Sequence, residues 1–440
     1  MKPNLIILSL HIITLANRCS CLLRSSEDQG VMMKQDEDPP ITHVEYFPVG
    51  KGNRFARKKF PTGFGSSADF HATSILSLME VETALKRMHK TYRDKMQLRT
   101  TGIKTHEGRS VYYAVLGSNR PRVLLVGGTR GRDRGAPDYL VYLIADLLWA
   151  DRHNASLRYE GREYGAEMVR RVLGYGLALI PLANPDGVHY DLSTDSCWRK
   201  NRRPTTCMAS ETGVEIDAGF DVFWRDERLW FENATTRAVF RAESRDKKVL
   251  DLELGDLPEP EAQSIFNVFR DVASVSWYLD VNAVGGEVRY HSPARREVDD
   301  RQRAFSTDRY GGYHTGIGGE GRDESYHTRM GEQGRQDGSA QKEAAERMVM
   351  AMNGVGDEAF YTAAEVISHC FDANHVNALS LSFGRETVTQ HCQDYFYPDA
   401  RRYHQNMMQT TVGLMEFLLN AVERMAAECE EEEEEETVEC

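Results

Sequence analysis

Residues able to do chemistry stand at the ends of apolar runs in this chain. Val126-Gly-Gly-Thr-Arg-Gly-Arg-Asp-Arg-Gly-Ala-Pro137 follows a buried-strand pattern and places a guanidinium, Arg130, three residues before a carboxylate, Asp133. Such a pair can neutralise itself, whereas the carboxylate alone could ligate a cation. Two later strand-like runs, Trp277–Asn282 and Asn377–Phe383, carry an amide at Asn282 and a hydroxyl at Ser382. Ser382 has no Gly-x-Ser-x-Gly elbow around it, and a strand-borne serine without a positioned base is a weak nucleophile. Arg199 lies in the basic run Trp198-Arg-Lys-Asn-Arg202, and Tyr361 stands apart from both.

Placing these groups falls to alternating helices and strands. Helical spacing over Ser74–Lys95 puts Leu76, Leu78, Met79, Val81, Leu85 and Met88 largely on one side. Strands are predicted at Val111–Leu116, Val123–Val126 and Leu177–Leu182, a buried helix at Tyr139–Trp149, and a closing helix at Tyr403–Met425 packed through Met407, Leu414, Leu418 and Val422. Short continuous apolar strands alternating with helices imply an α/β fold, a mixed, mostly parallel twisted sheet with helices on both faces.

Composition sets the outer bounds. With 440 residues, 41% of them hydrophobic and 28% charged, the chain suits one large domain or two smaller ones. Of the net charge of −13, nine negative charges belong to Glu428, the run Glu430–Glu436 and Glu439, which leaves a nearly neutral body. An unbroken like-charge run reads as a solvated tail. A phosphate-reading domain needs a net basic face, so nucleic acid is excluded as a partner.

Lys2, the apolar stretch Leu5–Ala16 and a small, polar region through Cys21 read as a cleaved export signal, too short to span a bilayer. Secretion or residence in the secretory-pathway lumen is therefore expected, with Asn154-Ala-Ser156 and Asn233-Ala-Thr235 as glycosylation sequons. Cysteine usage agrees with an oxidising compartment, and bridges Cys197–Cys207 and Cys370–Cys392 are the expected pairs. Ser292–Lys342 is rich in Arg, Asp, Gly and Gln and reads as a surface insertion.

The order of motifs carries a resemblance. After Val126–Pro137 come Ile180-Pro-Leu-Ala-Asn-Pro-Asp-Gly187, Trp198–Arg202, Gly213-Val-Glu-Ile-Asp-Ala218, Pro258-Glu-Pro-Glu261, the strand ending in Asn282, Tyr361, and the strand holding Ser382. This series resembles the metallocarboxypeptidases of the carboxypeptidase A and B type over roughly Ala68–Ala427. The Asn-Pro-Asp-Gly and Trp-Arg-Lys-Asn-Arg runs are its specific pieces.

What the resemblance implies is a carboxypeptidase-like fold whose zinc ligands have been replaced. Arg130 takes the place of the first His, Asp133 of the Glu, Asn282 of the second His, and Ser382 of the general-base Glu. Asp217 and Ala218 stand where an Asn-Arg pair grips a peptide's C-terminal carboxylate. Arg199, the counterpart of a carbonyl-polarising Arg, and Tyr361, the counterpart of a mobile cleft Tyr, are retained.

Zinc hydrolysis needs three ligands, an open position for water and a carboxylate base. Only Asp133 could still ligate, and a guanidinium about 4 Å from Zn²⁺ is repelled by roughly 8 kcal/mol at an effective dielectric near 20. The expectation is a signal peptide at 1–21, a flexible segment at 22–67, a carboxypeptidase-like domain at 68–427 interrupted by the insertion at 292–342, and an acidic tail at 428–440. It acts by binding a peptide or protein, without cofactor and without a membrane span. The alternative is an active zinc metallocarboxypeptidase with an atypical site, its metal supplied by His291, His314 or His327.

Overall fold

A computed structural model describes residues 52–56, 61–66, 74–204, 213–216, 259–292, 339–355, 360–367, 376–385 and 391–438. The export signal, Asn233, Cys207, Asp217, Ala218, His314, His327, Cys370 and residues 293–338 of the insertion lie outside them.

Ten strands and eight helices are described, in chain order α1 (Leu78–Thr91), β1 (Met96–Lys104), β2 (Ser110–Leu116), β3 (Val123–Gly127), α2 (Ala136–His153), β4 (Leu157–Tyr159), β5 (Arg162–Tyr164), α3 (Ala166–Tyr175), β6 (Leu177–Ile180) and α4 (Pro185–Thr194). They continue with α5 (Pro260–Val272), β7 (Trp277–Ala283), β8 (Glu287–Ser292), α6 (Ser339–Asn353), β9 (Thr362–Ile367), β10 (Asn377–Phe383), α7 (Cys392–Phe396) and α8 (Ala400–Val438).

Eight strands form one sheet in the order β1-β2-β6-β3-β7-β10-β8-β9. The central four, β6-β3-β7-β10, run parallel, and antiparallel pairings at β2 with β6 and β10 with β8 flank them. The fold is thus α/β with a mixed, mostly parallel sheet. Alternation along β3 explains why that strand reads as unbroken apolar sequence: Val123 and Leu125 enter one core, Leu124 and Val126 the other. The larger core is closed by α1, α2, α6 and α8, while the second is covered by Ile265, Val268, Phe269 and Val272 of α5.

Local chemistry sets the ends of the elements. The first helix is shorter than its apolar spacing predicts, because Ser77 forms a capping box with Glu80 that starts it at Leu78. Asn184 caps α4 by accepting a hydrogen bond from Gly187 N–H at 2.8 Å, with Pro185 in the first turn. The acidic run Glu430–Glu436 lies on the backbone of α8, which continues to Val438 instead of yielding to an irregular tail. Glutamate is a good helix former, and the packed turns upstream supply the nucleus. Ser339–Lys342 likewise belongs to α6 and not to the insertion.

The expected flexible segment before residue 68 also differs. Phe55 and Phe64 are buried in the larger core. Arg54 pairs with Glu80 at 2.8 Å, and Asp146 accepts from Gly65 N–H at 2.8 Å and Ser66 N–H at 2.9 Å. Charged and glycine-rich composition hid an anchoring that depends on carboxylates distant in sequence. No helix among the described residues is long and apolar enough to cross a membrane.

Two buried acids of α2, Asp138 and Asp146, give a pH dependence. Burial pushes the carboxyl of Asp138 up to about 7 and that of Asp146 up to about 6, from an ordinary 3.8. Asp138 Oδ2 still accepts from Leu76 N–H and Tyr403 O–H, while Oδ1 is buried without a hydrogen-bond partner, which leaves the charged form poorly solvated. A carboxyl raised in the fold contributes stability that is complete below its unfolded value and is lost as pH rises through the folded one. Melting temperature is therefore expected to fall by several degrees from pH 5 to pH 8 and to fall less in Asp138→Asn. A variant as pH-sensitive as the wild type would refute this assignment.

Candidate functional site

Topology marks where a hollow is expected before any motif does. From β3 the chain moves outward to β6, then returns to add β7 and β10 on the other side. Crevices form at the carboxyl ends of parallel strands where the winding direction switches, here between β3 and β7. The β3 end continues into Thr129–Asp133, and the β7 end supplies Asn282.

Hydrogen bonds seal this junction. Thr129 Oγ1 donates to Asn282 Oδ1 at 3.0 Å, and Asn282 Nδ2 donates to Asp280 Oδ2. Asp133 Oδ2 accepts from Ala283 N–H at 2.8 Å and lies 3.9 Å from Arg130 Nη1. Asp133 is buried and Arg130 only partly so. Ser382 is opposite Asn282 in the parallel β7–β10 register, which puts both on one face of the sheet. On its other side it is opposite Glu287, whose carboxylate pairs with Arg289 at 2.6 Å.

The loop carrying Arg130 is held from three directions. Gly131 N–H donates to Arg199 O at 3.0 Å, and Asn184 Nδ2 donates to Thr129 O at 3.0 Å and Lys200 O at 3.2 Å. A Cβ at Gly131 would lie 2.5 Å from the carbonyl oxygens of both Gly187 and Trp198, so only glycine fits between them. Arg134, 1% exposed, pairs with Asp191 at 2.9 Å and Asp195 at 2.6 Å and stacks on Tyr397 at 3.3 Å.

Arg199 stays at the hollow, its Nε 2.8 Å from Glu215 Oε2. Sequence reasoning missed Arg132. Its guanidinium stacks on Phe396 at 4.1 Å, with Nη1 3.7 Å from Cys392 Sγ. Burial pulls Arg132 below the usual guanidinium range, with Asp133 opposing and the neighbouring Arg199 and Arg130 adding to the fall. Three guanidiniums therefore share this space with Asp133 and Glu215. Arg132 and Glu215 lie inside the Val126–Pro137 and Gly213–Ala218 runs, but neither position was singled out, since loop charges usually solvate.

Tyr361 does not line this hollow as a mobile side chain. It is 3% exposed, stacks with Phe360 at 4.3 Å, and accepts from Gly384 N–H at 3.2 Å. Asn353 clamps the backbone N–H groups of Phe360 and Tyr361, and burial pushes the phenol well above its ordinary range. Tyr361 thus positions the β10 end that carries Ser382. The disulfide also differs from expectation: Cys197 bonds Cys392, across 195 residues, and joins the arginine-bearing loop to α7.

The side chains meeting here do not fit a zinc ion. They offer Asp133, already engaged with Ala283 N–H and 3.9 Å from a guanidinium, Glu215, paired with Arg199, and an amide fixed by Thr129 and Asp280, with no imidazole among them. His291 belongs to the backbone of β8, on the far side of β10 from Asn282 in the strand order.

A family model described as zinc carboxypeptidase matches residues 81–434. An inactive metallocarboxypeptidase, ecm14, of Talaromyces stipitatus is 27% identical over 139 residues, 29% of this chain and 21% of that protein. Human carboxypeptidase A6 is 24% identical over 154 residues, 34% of this chain and 32% of that protein. The matched stretches thus span about a fifth to a third of these relatives' length. Among solved structures, thrombin activatable fibrinolysis inhibitor aligns with TM-score 0.52 at 13% identity, over 80% of this chain and 75% of that one. The bovine form of that protein, in complex with tick carboxypeptidase inhibitor, gives 0.51 at 13%, over 80% and 98%. At such identities the structural likeness speaks for the fold alone.

Proposed function

The chain belongs to the zinc carboxypeptidase family, and we propose that within it this protein is a secreted member that has given up zinc hydrolysis and binds a peptide or protein ligand instead. The observation that carries this reading is the state of Asp133. Its carboxylate accepts Ala283 N–H and sits 3.9 Å from Arg130, so the one family ligand position that keeps a carboxylate is already paired with the protein's own guanidinium, and the other two positions hold an arginine and an amide. A relative bearing the name inactive metallocarboxypeptidase is in keeping with such a loss.

The hollow favours an anionic group. Arg130, Arg132 and Arg199 outnumber Asp133 and Glu215, and Arg132 is held rigid on Phe396, so a ligand carboxylate would meet preorganised donors. Without a metal or a carboxylate base at Ser382, the same donors would orient a peptide without cleaving it. Asp217 and Ala218, in place of the family's carboxylate-gripping pair, argue that the anion is a side chain and not a free C-terminus.

Two measurements test this. Zinc retained after incubation and desalting is expected to be the same in wild type and Asp133→Asn; zinc lost with Asp133 would refute the reading. A panel of short acidic peptides, followed by fluorescence anisotropy, is expected to bind the wild type, with Arg132→Ala and Arg199→Ala each weakening binding about ten- to a hundredfold. Equal affinity in both variants would move the binding surface elsewhere.

A further inference from the structure

Away from that hollow, three side chains from two separate stretches of chain converge. His106 lies in the turn between β1 and β2, and Glu259 and Glu261 flank Pro260 at the start of α5. One ligand atom from each lies within 4.8 Å of the other two. His106 Nε2 is 2.8 Å from Glu259 Oε2. Asn201, itself fully buried, donates from Nδ2 to Glu259 Oε2 at 2.6 Å and to Glu261 Oε2 at 3.0 Å. The amide cannot turn, because its Oδ1 accepts from Val214 N–H at 2.8 Å and Arg203 N–H at 3.2 Å.

One atom is left over. Glu261 is 0% exposed, and its Oε1 is buried without a hydrogen-bond partner. A buried carboxylate oxygen in that state is costly unless something cationic or protic reaches it. Arg203, 2.9 Å from Glu259 Oε1, balances one of the two carboxylates. A carboxylate oxygen of Glu261 and a ring nitrogen of His106 lie within 4.8 Å of each other.

We propose that His106, Glu259 and Glu261 form a binding site for one divalent transition-metal ion of the zinc type, separate from Asp133. One imidazole with two carboxylates is a zinc-type donor set, while calcium and magnesium, which take oxygen ligands, gain nothing from the imidazole. His106 stands at the surface and leaves a path for the ion and for water ligands, and the two glutamates form a buried floor. Asn201 acts as the outer partner that aims both carboxylates. The ion would tie the β1–β2 turn to α5 and to the loop that carries Arg199, giving the fold a metal dependence unconnected with hydrolysis.

The test is calorimetric titration of the chelator-treated full-length protein with Zn²⁺ at pH 7.5, with Ca²⁺ as control. One saturable equivalent of Zn²⁺ at about micromolar affinity or tighter is expected, with no such step for Ca²⁺. His106→Ala should weaken Zn²⁺ at least about tenfold, Glu261→Gln should abolish the step, and Asp133→Asn should leave it unchanged. Glu261→Gln can still accept from Asn201, and His106→Ala is a surface change, so misfolding does not account for a loss shared by both variants. Zn²⁺ should also raise the melting temperature of the wild type but not of Glu261→Gln. Diffuse binding by Glu430–Glu436 is common to all variants and cancels. A wild type with no saturable equivalent, or both site variants with wild-type affinity, overturns this site and leaves the proposed function standing. Zinc that is lost in Asp133→Asn yet kept in Glu261→Gln overturns both.

Discussion

Combining Arg130→His, Asp133→Glu and Asn282→His in one chain is expected to raise zinc affinity at that position by at least about a thousandfold over the wild type. The geometry supplies the reason. Thr129 already joins the β3 end to Asn282 at 3.0 Å, and the Ala283 N–H contact brings Asp133 to the same strand end. The positions therefore converge, and only the donor chemistry is unsuitable. Removing the guanidinium deletes the largest repulsive contribution, and two imidazoles with one carboxylate complete a three-ligand set. Binding that requires the longer carboxylate introduced by Asp133→Glu, measured in a Glu261→Gln background, separates this ion from any other. Peptide hydrolysis is not expected from this ion, because Ser382 supplies no base and Asp217 and Ala218 remain in place. A metal-free melting temperature near that of the wild type, together with no gain in zinc affinity, would show that the three positions do not form one site.

How legible this was in sequence depended on where each residue's partners sit along the chain. The strands β3, β7 and β10 are buried on both faces, so they read as short, mostly apolar runs, and their expected bounds fell within a residue of those observed. Strand β1, Met96–Lys104, is an edge strand with Gln97, Arg99 and Thr100 in its burial pattern, and hydrophobic periodicity passed over it. Cysteine pairing failed for a plain reason: proximity in sequence pointed to Cys207 and Cys370, whereas the fold brings Cys392, on α7, to Cys197 across 195 residues. For Tyr361, motif order located the residue but carried no information on burial. Its role as a clamp on Gly384 depends on Asn353, Phe360 and the β10 end together. Arg132 was invisible because its partner Phe396 is far away in the chain. Likewise, His106, Glu259 and Glu261 are ordinary turn and helix-start residues until the fold joins them.

Replacing Arg134 by Met is expected to cost about 3–5 kcal/mol of folding stability, read as a shift in the midpoint of denaturant unfolding. Arg134 and Asp191 are both essentially without solvent contact, and the pair is 2.9 Å apart. Removing the cation leaves Asp191 with Tyr397 O–H at 2.6 Å and Trp198 N–H at 2.8 Å but no counter-charge. Burial already pushes the Asp191 carboxyl above its ordinary value with Arg134 present, so in the variant it rises further. A carboxyl raised in this way withdraws its stabilisation as pH increases through the folded value, and the deficit should therefore be larger at pH 8 than at pH 5. Adding Asp191→Asn removes the buried charge and should recover most of the loss, which a purely steric effect of methionine would not allow. A single variant costing under about 1 kcal/mol would mean that the pair is not buried as described. The functional consequence follows from the loop: Arg130, Arg132 and Asp133 share with Arg134 one short connection between β3 and α2. Loosening its last anchor should weaken acidic-peptide binding even though Arg134 itself faces Asp191 and Tyr397 and not the hollow.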